Sequence, residues 1–75
     1  MSDLRWKRLI CRGRVEYHAD TEDGGRVFVR SVGGGVWIWY ADVDVDLGKW
    51  ADGWDSMAES AKLRAERAAK GGDRD

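Results

Sequence analysis

Three aspartates at every second position are the residues of this chain whose type and spacing most suggest chemistry. Asp42, Asp44 and Asp46 alternate with apolar residues. Because side chains of a strand alternate between its faces, the three carboxylates would lie about 6.6 Å apart on one face. That spacing is of the same order as the spacing of phosphates along a nucleic acid, so the row could enter a basic groove that normally holds DNA or RNA. The alternative is that an acidic strand discourages edge-to-edge aggregation.

Catalytic and metal-binding signatures find little support in this sequence. The chain has one histidine, His18, and one cysteine, Cys11, and no serine or cysteine has a credible base and orienting group. We interpret His18 as a surface residue and Cys11 as a small buried one. A calcium loop counted from Asp42 would need a glycine and a glutamate where Leu47 and Gly53 stand. We therefore expect no enzymatic activity, no metal and no cofactor.

The composition is typical of one small domain with charges of both signs on its surface. A chain of 75 residues buries only about 60% of its unfolded surface, so the core should be thin and depend on the five tryptophans. A charged fraction of 36% with a net charge of -1 does not favour general affinity for nucleic acid or anionic membranes. The single cysteine fits a reducing compartment, and no stretch resembles a signal peptide or a membrane span. We therefore expect a cytoplasmic location.

Alternating apolar residues and glycine-rich turns predict an antiparallel meander. The first strand would cover residues 6–19, either unbroken or bent at Gly13. Turns at residues 21–25 and 33–35 contain the Asp-Gly and Gly-Gly pairs that tight hairpins need. The remaining strands would be residues 26–32 and 36–47. We predict an α+β fold with three strands, or four if the first strand is bent.

Three-residue loops in both hairpins would place like residues opposite each other. One face would carry small and β-branched residues beside the tryptophans, with Val29 opposite both Trp39 and Ala19. The other face would place Phe28 opposite Tyr40. We therefore assign the tryptophans of the third strand to the core rather than to a binding site.

The C-terminal part of the chain predicts a connector followed by one helix. The connector would cover residues 48–55 and the helix residues 56–70, with Ser56 as the N-cap of a capping box. A stripe of alanines would pack on the sheet, and Glu66 would point to solvent. The chain as a whole, residues 1–75, would form a single domain with its sheet at about residues 6–47 and a frayed tail at residues 71–75.

One helix can cover only one face of such a sheet, which leaves the other face open. An apolar patch ringed by charges is more than the scattered apolar surface of an ordinary monomer. The residues that we expect to contact a partner are Phe28, Arg30, Ile38, Tyr40, Asp42, Asp44 and Asp46. The partner could be a host protein with a basic nucleic-acid-binding surface, or a second copy of the chain in a homodimer. It could also be single-stranded nucleic acid stacked on Phe28 and Tyr40, against which the nearby acids count.

The stretch WDSMAESAK at residues 54–62, together with the predicted sheet and helix, resembles small accessory proteins encoded by phages and mobile elements. Anti-CRISPR proteins belong to that group. The resemblance implies a non-enzymatic inhibitor that binds a host defence complex, for example at its nucleic-acid-binding site. It also implies a location in the host cytoplasm without membrane contact. The resemblance assigns no functional residue, so the candidate residues depend on strand alternation alone.

Overall fold

A computed structural model describes residues 4–21 and 24–70, which form an antiparallel sheet followed by one helix. The elements are β1 Lys7–Cys11, β2 Arg14–Asp20, β3 Arg26–Gly33, β4 Val36–Asp44, β5 Lys49–Asp55 and α1 Ala58–Ala69. The five strands lie side by side in chain order, which is the topology of a meander. The α+β class agrees with the sequence analysis, whereas the predicted count of three or four strands is wrong.

The first additional strand arises at Arg12 and Gly13, where the predicted long first strand folds back on itself. Both residues have positive φ angles, of 55° and 80°, as the central residues of a type I′ hairpin turn require. β1 and β2 therefore form a hairpin in which Cys11 lies opposite Arg14. Arginine rarely adopts a positive φ angle, so the residue types at positions 12 and 13 did not predict a hairpin turn and indicated at most a bend in one strand. Cys11 is also exposed rather than buried, because it ends a strand at the sheet edge.

The second additional strand is β5, which occupies the segment predicted to be a connector. β5 pairs with β4, and Trp54 lies opposite Ile38. Gly53 permits this pairing on the other face of the sheet, because a Cβ atom there would lie 2.8 Å from the ring of Trp39. The prediction of a connector at residues 48–55 is therefore wrong.

The register between β3 and β4 confirms the predicted faces of the sheet. Val29 lies opposite Trp39, and Phe28 lies opposite Tyr40. Trp39 packs against the buried core under the helix, as expected of a core tryptophan. The two faces of the central strands were therefore correctly predicted from alternation alone.

The register between β2 and β3 differs from the prediction by two residues. Ala19 lies opposite Val27 rather than Val29. The turn lies one residue earlier in the chain than predicted, because Thr21 and Gly25 close it. The Thr21 backbone N–H donates to the Gly25 carbonyl at 3.0 Å, and the Gly25 N–H donates to the Thr21 hydroxyl at 2.8 Å. A shift by two keeps every side chain on its predicted face.

The helix packs on β3, β4 and β5 through its alanine stripe, which confirms the predicted packing face. Ala61 and Ala65 are fully buried, and the sheet places Val27 and Ala41 beneath the helix. Small residues on both sides let the helix lie close to the sheet, and the partly buried Trp39 packs against this core. The core is thin, as expected for a domain of this size.

The start of the helix differs from the prediction. α1 begins at Ala58, and its N-cap is Met57, whose side chain makes no capping hydrogen bond to any described residue. The predicted capping box at Ser56 is therefore wrong. Instead, one carboxylate oxygen of Asp55 accepts the backbone N–H groups of Ser56 and Met57 at 2.7 and 3.3 Å. The other oxygen lies 2.9 Å from Nε of Arg64, which ties the first turns of the helix to the end of β5.

Trp6, which precedes β1, packs against the core that the helix covers and contacts a helix residue that was predicted to be exposed. Glu66 is only 7% exposed, and its carboxylate accepts a hydrogen bond from the indole N–H of Trp6 at 2.6 Å. Nearby, Nζ of Lys62 lies 3.7 Å from the ring centroid of Tyr17. Such contacts between distant parts of the chain have no local signal in the sequence. The predicted frayed tail, residues 71–75, lies outside the described residues.

Candidate partner-binding surface

Four rings cross the sheet face that the helix leaves open. His18, Phe28 and Tyr40 lie directly opposite one another on β2, β3 and β4. Trp50 joins them from β5, diagonally across from Tyr40. The centroids are 5.8 Å apart between His18 and Phe28, 5.2 Å between Phe28 and Tyr40, and 5.6 Å between Tyr40 and Trp50. We call these four rings the aromatic ladder.

The rings of the aromatic ladder stack on one another rather than lying side by side in one plane on the sheet. Successive planes are inclined by only 26°, 15° and 26°, and such angles at these separations indicate offset stacking. Each inner ring, Phe28 or Tyr40, therefore has neighbours on both sides. The guanidinium of Arg30 also lies over Phe28, with its Cζ 5.4 Å from the centroid. The outer faces of His18 and Trp50 are the ring faces that the ladder itself leaves free.

Glu16 anchors the β2 end of the aromatic ladder. One carboxylate oxygen lies 2.9 Å from Nε2 of His18, and the other lies 3.0 Å from Nε of Arg30. The hydrogen bond with His18 lowers the pKa of Glu16 below its ordinary 4.5, burial opposes this shift, and the positive charge of Arg30 adds to it. Arg30, a candidate contact residue, is therefore held by Glu16 and Phe28 within the protein.

The predicted row of three aspartates does not form as an evenly spaced ladder. β4 ends at Asp44, its pairing with β5 is irregular between Asp42 and Asp44, and Asp46 lies in the following turn. The Asp42 carboxylate accepts the Tyr40 hydroxyl at 2.6 Å and the Arg26 backbone N–H at 2.9 Å. Asp44 accepts a backbone N–H of the turn at 3.2 Å. Two of the three carboxylates thus bind groups within the chain.

The hydrogen bond between Tyr40 and Asp42 also affects the tyrosine. It raises the pKa of the Tyr40 hydroxyl above the ordinary 10.0, since ionising the phenol would remove the donated proton beside a carboxylate. The same two residues line a cleft of about 490 Å³ where β2 and β3 meet their turn, together with His18, Asp20, Arg26 and Phe28. This cleft continues the open face and carries charges of both signs.

β5 adds two exposed tryptophans to the open face, and neither was among the contact residues predicted from the sequence. Trp50 is 56% exposed and Trp54 is 65% exposed. Asp52 lies between them along the strand and shares their face, because alternate residues point the same way. Trp54, Asp52, Ile38 and Tyr40 line a depression of about 310 Å³. We call Trp50, Asp52 and Trp54 the acidic-aromatic patch.

Most candidate residues from the sequence analysis lie together on the open face of β3 and β4. These are Phe28, Arg30, Ile38, Tyr40 and Asp42. Asp44 lies at the end of β4, and Asp46 lies beyond it. The most exposed aromatic side chains of the open face, Trp50 and Trp54, therefore lie on β5, outside the predicted contact residues.

The described residues form neither a metal cluster nor a membrane-spanning helix. Across residues 4–21 and 24–70, no three His, Cys, Asp or Glu side chains come together as potential metal ligands. No helix in that part of the chain is long and apolar enough to cross a bilayer. Comparisons with protein-family models, with curated proteins and with solved structures give no match to this chain. The proposed function rests on the geometry of the open face.

Proposed function

We propose that this protein is a non-enzymatic binding protein whose open sheet face holds a basic surface of a partner protein. The observation that carries the proposal is the acidic-aromatic patch on β5. Both of its tryptophans are more than half exposed, although hydrating such large apolar rings is unfavourable. Exposed aromatic rings rimmed by charge are typical of surfaces that become buried against another macromolecule.

The acidic-aromatic patch is chemically suited to arginine. A guanidinium group is planar, binds a carboxylate through two hydrogen bonds and stacks on aromatic faces. Trp50 stacks on Tyr40 through one face, which leaves its other face available to a cation. Asp52 projects beside it from the same face of the strand. An arginine of the partner could therefore contact an indole ring and a carboxylate together.

A protein that presents several arginines on its surface is commonly one that binds nucleic acid. Asp42, Asp44 and Asp46 add negative charge beside the acidic-aromatic patch, which would attract such a surface over longer distances. By covering that surface, the chain would act as an inhibitor, as the resemblance to anti-CRISPR proteins implies. In this proposal the aspartates supply charge and do not copy the spacing of phosphates.

Direct binding of single-stranded nucleic acid has less support from the same geometry. Base stacking needs free aromatic faces, and Phe28 and Tyr40 have ring neighbours on both sides. The carboxylate of Asp52 would also repel the phosphates of a strand stacked on Trp50.

A synthetic peptide of alternating arginine and serine is a direct probe of the proposal. Calorimetry should detect binding, and the double variant Trp50→Ser, Trp54→Ser should weaken it by about tenfold, because each cation–π contact contributes about 0.5–1 kcal/mol or more. The matched control is Leu63→Ser, which removes an apolar side chain of similar exposure, 64%, from the helix. Equal affinity of the double variant and the control would contradict the proposal.

Two measurements separate the inhibitor from its alternatives. A pull-down from host lysate, identified by mass spectrometry, should recover a nucleic-acid-binding protein with the original chain and lose it with the double variant. Gel shift with short DNA and RNA oligonucleotides should show no retardation at low salt, and retardation would favour the nucleic-acid alternative. Light scattering that returned a dimer disrupted by the double variant would instead show that a second copy covers the patch.

A further inference from the structure

β1 is the far edge of the sheet, and no described strand pairs with its outward-facing backbone groups. Among the described strands, β1 pairs with β2 alone. In a hairpin with a two-residue turn, the pair next to the turn exchanges hydrogen bonds and every second pair does so. Cys11 and Arg14 are the pair next to the turn. Arg8 and Ile10 therefore direct their N–H and C=O groups away from β2, toward the open edge.

Apolar side chains lie exposed on both faces of this edge. Leu9 is 46% exposed and Ile10 is 65% exposed. Leu9 lies opposite Glu16 and so shares the open face, whereas Ile10 lies on the helix side. The helix packs on β3, β4 and β5 among the described elements and leaves Ile10 uncovered. A strand added beside β1 would place its alternate side chains next to Leu9 on one face or next to Ile10 on the other.

The charge of the edge determines what kind of strand could be added. Lys7, Arg8 and Arg12 are exposed along it, and Arg5 precedes the strand. Within the described part of the chain, none of the four takes part in an ion pair. Two copies of β1 would bring like charges together, which is unfavourable and protects an edge from pairing with itself. An acidic strand would meet complementary charge.

We propose that β1 binds an extended acidic segment of a partner protein by strand addition. The backbone of the segment would pair with Arg8 and Ile10, and its alternate apolar side chains would cover Leu9 or Ile10. Its carboxylates would lie beside the basic side chains of the edge. In this mode of recognition, main-chain hydrogen bonds contribute affinity and alternate side chains contribute specificity. The edge is separate from the acidic-aromatic patch, so this proposal does not depend on the function proposed above.

A short capped peptide that alternates valine and glutamate, carrying a fluorophore, is the probe. Fluorescence anisotropy should show binding, and N-methylation of alternate residues of the peptide should abolish it, because the methyl groups replace the hydrogen-bond donors. The variant Arg8→Glu should weaken binding about fivefold or more, since it turns an exposed ion pair of up to about 1 kcal/mol into a repulsion. The control Arg67→Glu makes the same change at an exposed helix position and should bind as the original chain does.

Amide hydrogen exchange locates the bound peptide without any substitution. The amides of Arg8 and Ile10 should become protected on binding, whereas the amide of Leu9 bonds to β2 in the free protein and should change little. No binding at low salt, equal binding of the N-methylated peptide, or equal binding of a valine–lysine peptide would overturn the proposal. Light scattering that showed a dimer abolished by Arg8→Glu would overturn it as well, because a second copy would then occupy the edge.

Discussion

The sheet face under α1 and the face opposite it are built from alternate residues of the same strands. Under α1 the side chains are small or branched, and Val27, Val29 and Ala41 are completely or almost completely buried. On the open face, Phe28 and Tyr40 are large rings that support each other by stacking 5.2 Å apart. The face that the helix covers therefore has small or branched side chains, and the face without a helix has large rings. A helix packs closely only on small residues, whereas uncovered rings must find their contacts within the face.

This difference predicts that the two faces respond differently to substitution. The covered face holds the buried core, so an atom forced against a core side chain should cost free energy of unfolding. The open face is half exposed, so losing a side chain there should change stability little and binding more.

Gly53→Ala should destabilise the protein most. The new Cβ atom would lie 2.8 Å from the ring of Trp39 on the covered face, so the ring must shift from its position against the core. We expect the free energy of unfolding to fall by about 1–3 kcal/mol, as is typical when an atom is forced into a packed core. Urea denaturation measures it, with Asp52→Ala, the preceding residue on the open face, as the control. Equal stability of the two variants would show that the faces do not differ in packing.

Trp6→Phe should have a smaller effect on the same side of the sheet. The substitution keeps an aromatic ring but removes the N–H that donates to the buried Glu66 carboxylate at 2.6 Å. We expect a loss of about 1–2 kcal/mol, because a buried carboxylate loses a hydrogen-bond donor. Thermal denaturation of this variant and of Trp54→Phe, a matched change on the open face, gives the comparison. A larger loss for Trp54→Phe would reverse the order that the structure predicts.

Trp54→Ser should change stability by no more than about 0.5–1 kcal/mol, although it removes a large ring. The ring is 65% exposed in the free protein, so most of its contact with water is already present in the folded state. Urea denaturation measures the change. A loss as large as that of Gly53→Ala would mean that the exposed tryptophan supports the fold, and its assignment to binding would fail.

Glu16→Gln should alter the pH dependence of stability more than any other property. The folded-state pKa of Glu16 lies below its ordinary 4.5, so the ionised carboxylate stabilises the folded protein above that pH. The contribution is lost as pH falls through the lowered pKa. Melting temperatures recorded from neutral pH downward should therefore decline less steeply for Glu16→Gln than for the original chain. Glu59→Gln, at an exposed ion pair of 3.5 Å with Lys62, is the control for the loss of one negative charge elsewhere on the chain.

Alternation along the strands was sufficient to predict which residues share a face. A slip of β4 by one residue would turn Trp39 away from the core, whereas a slip by two would keep its face, so alternation fixes the face of Trp39 and not the register by itself. The turn at Arg12 could not be predicted, since its positive φ angle is adopted by a residue that rarely has one. The position of the turn that Thr21 and Gly25 close likewise depends on hydrogen bonds that the sequence does not display.

The candidate site was predicted in part for the same reason. Phe28 and Tyr40 were placed on the open face by their alternation, and the structure adds the stacking that joins them to Trp50. Trp50 and Trp54 were missed because the segment that contains them includes Gly53, and a glycine weakens the signal of a strand. The reason for that glycine is the ring of Trp39, a residue on the neighbouring strand. Whether residues 49–55 form a strand or a connector thus depends on a contact with another strand, which the local sequence does not show.

Nuclear magnetic resonance titration with the arginine–serine peptide tests the division between the two faces most directly. The account predicts that the indole N–H signals of Trp50 and Trp54 and the side-chain signals of Asp52 shift progressively as the peptide is added. The indole signals of Trp6 and Trp39, on the covered side, should remain unchanged and serve as internal references. Shifts confined to Trp6 and Trp39, or the absence of any shift at Trp50 and Trp54 at low salt, would contradict the claim that the open face binds a partner.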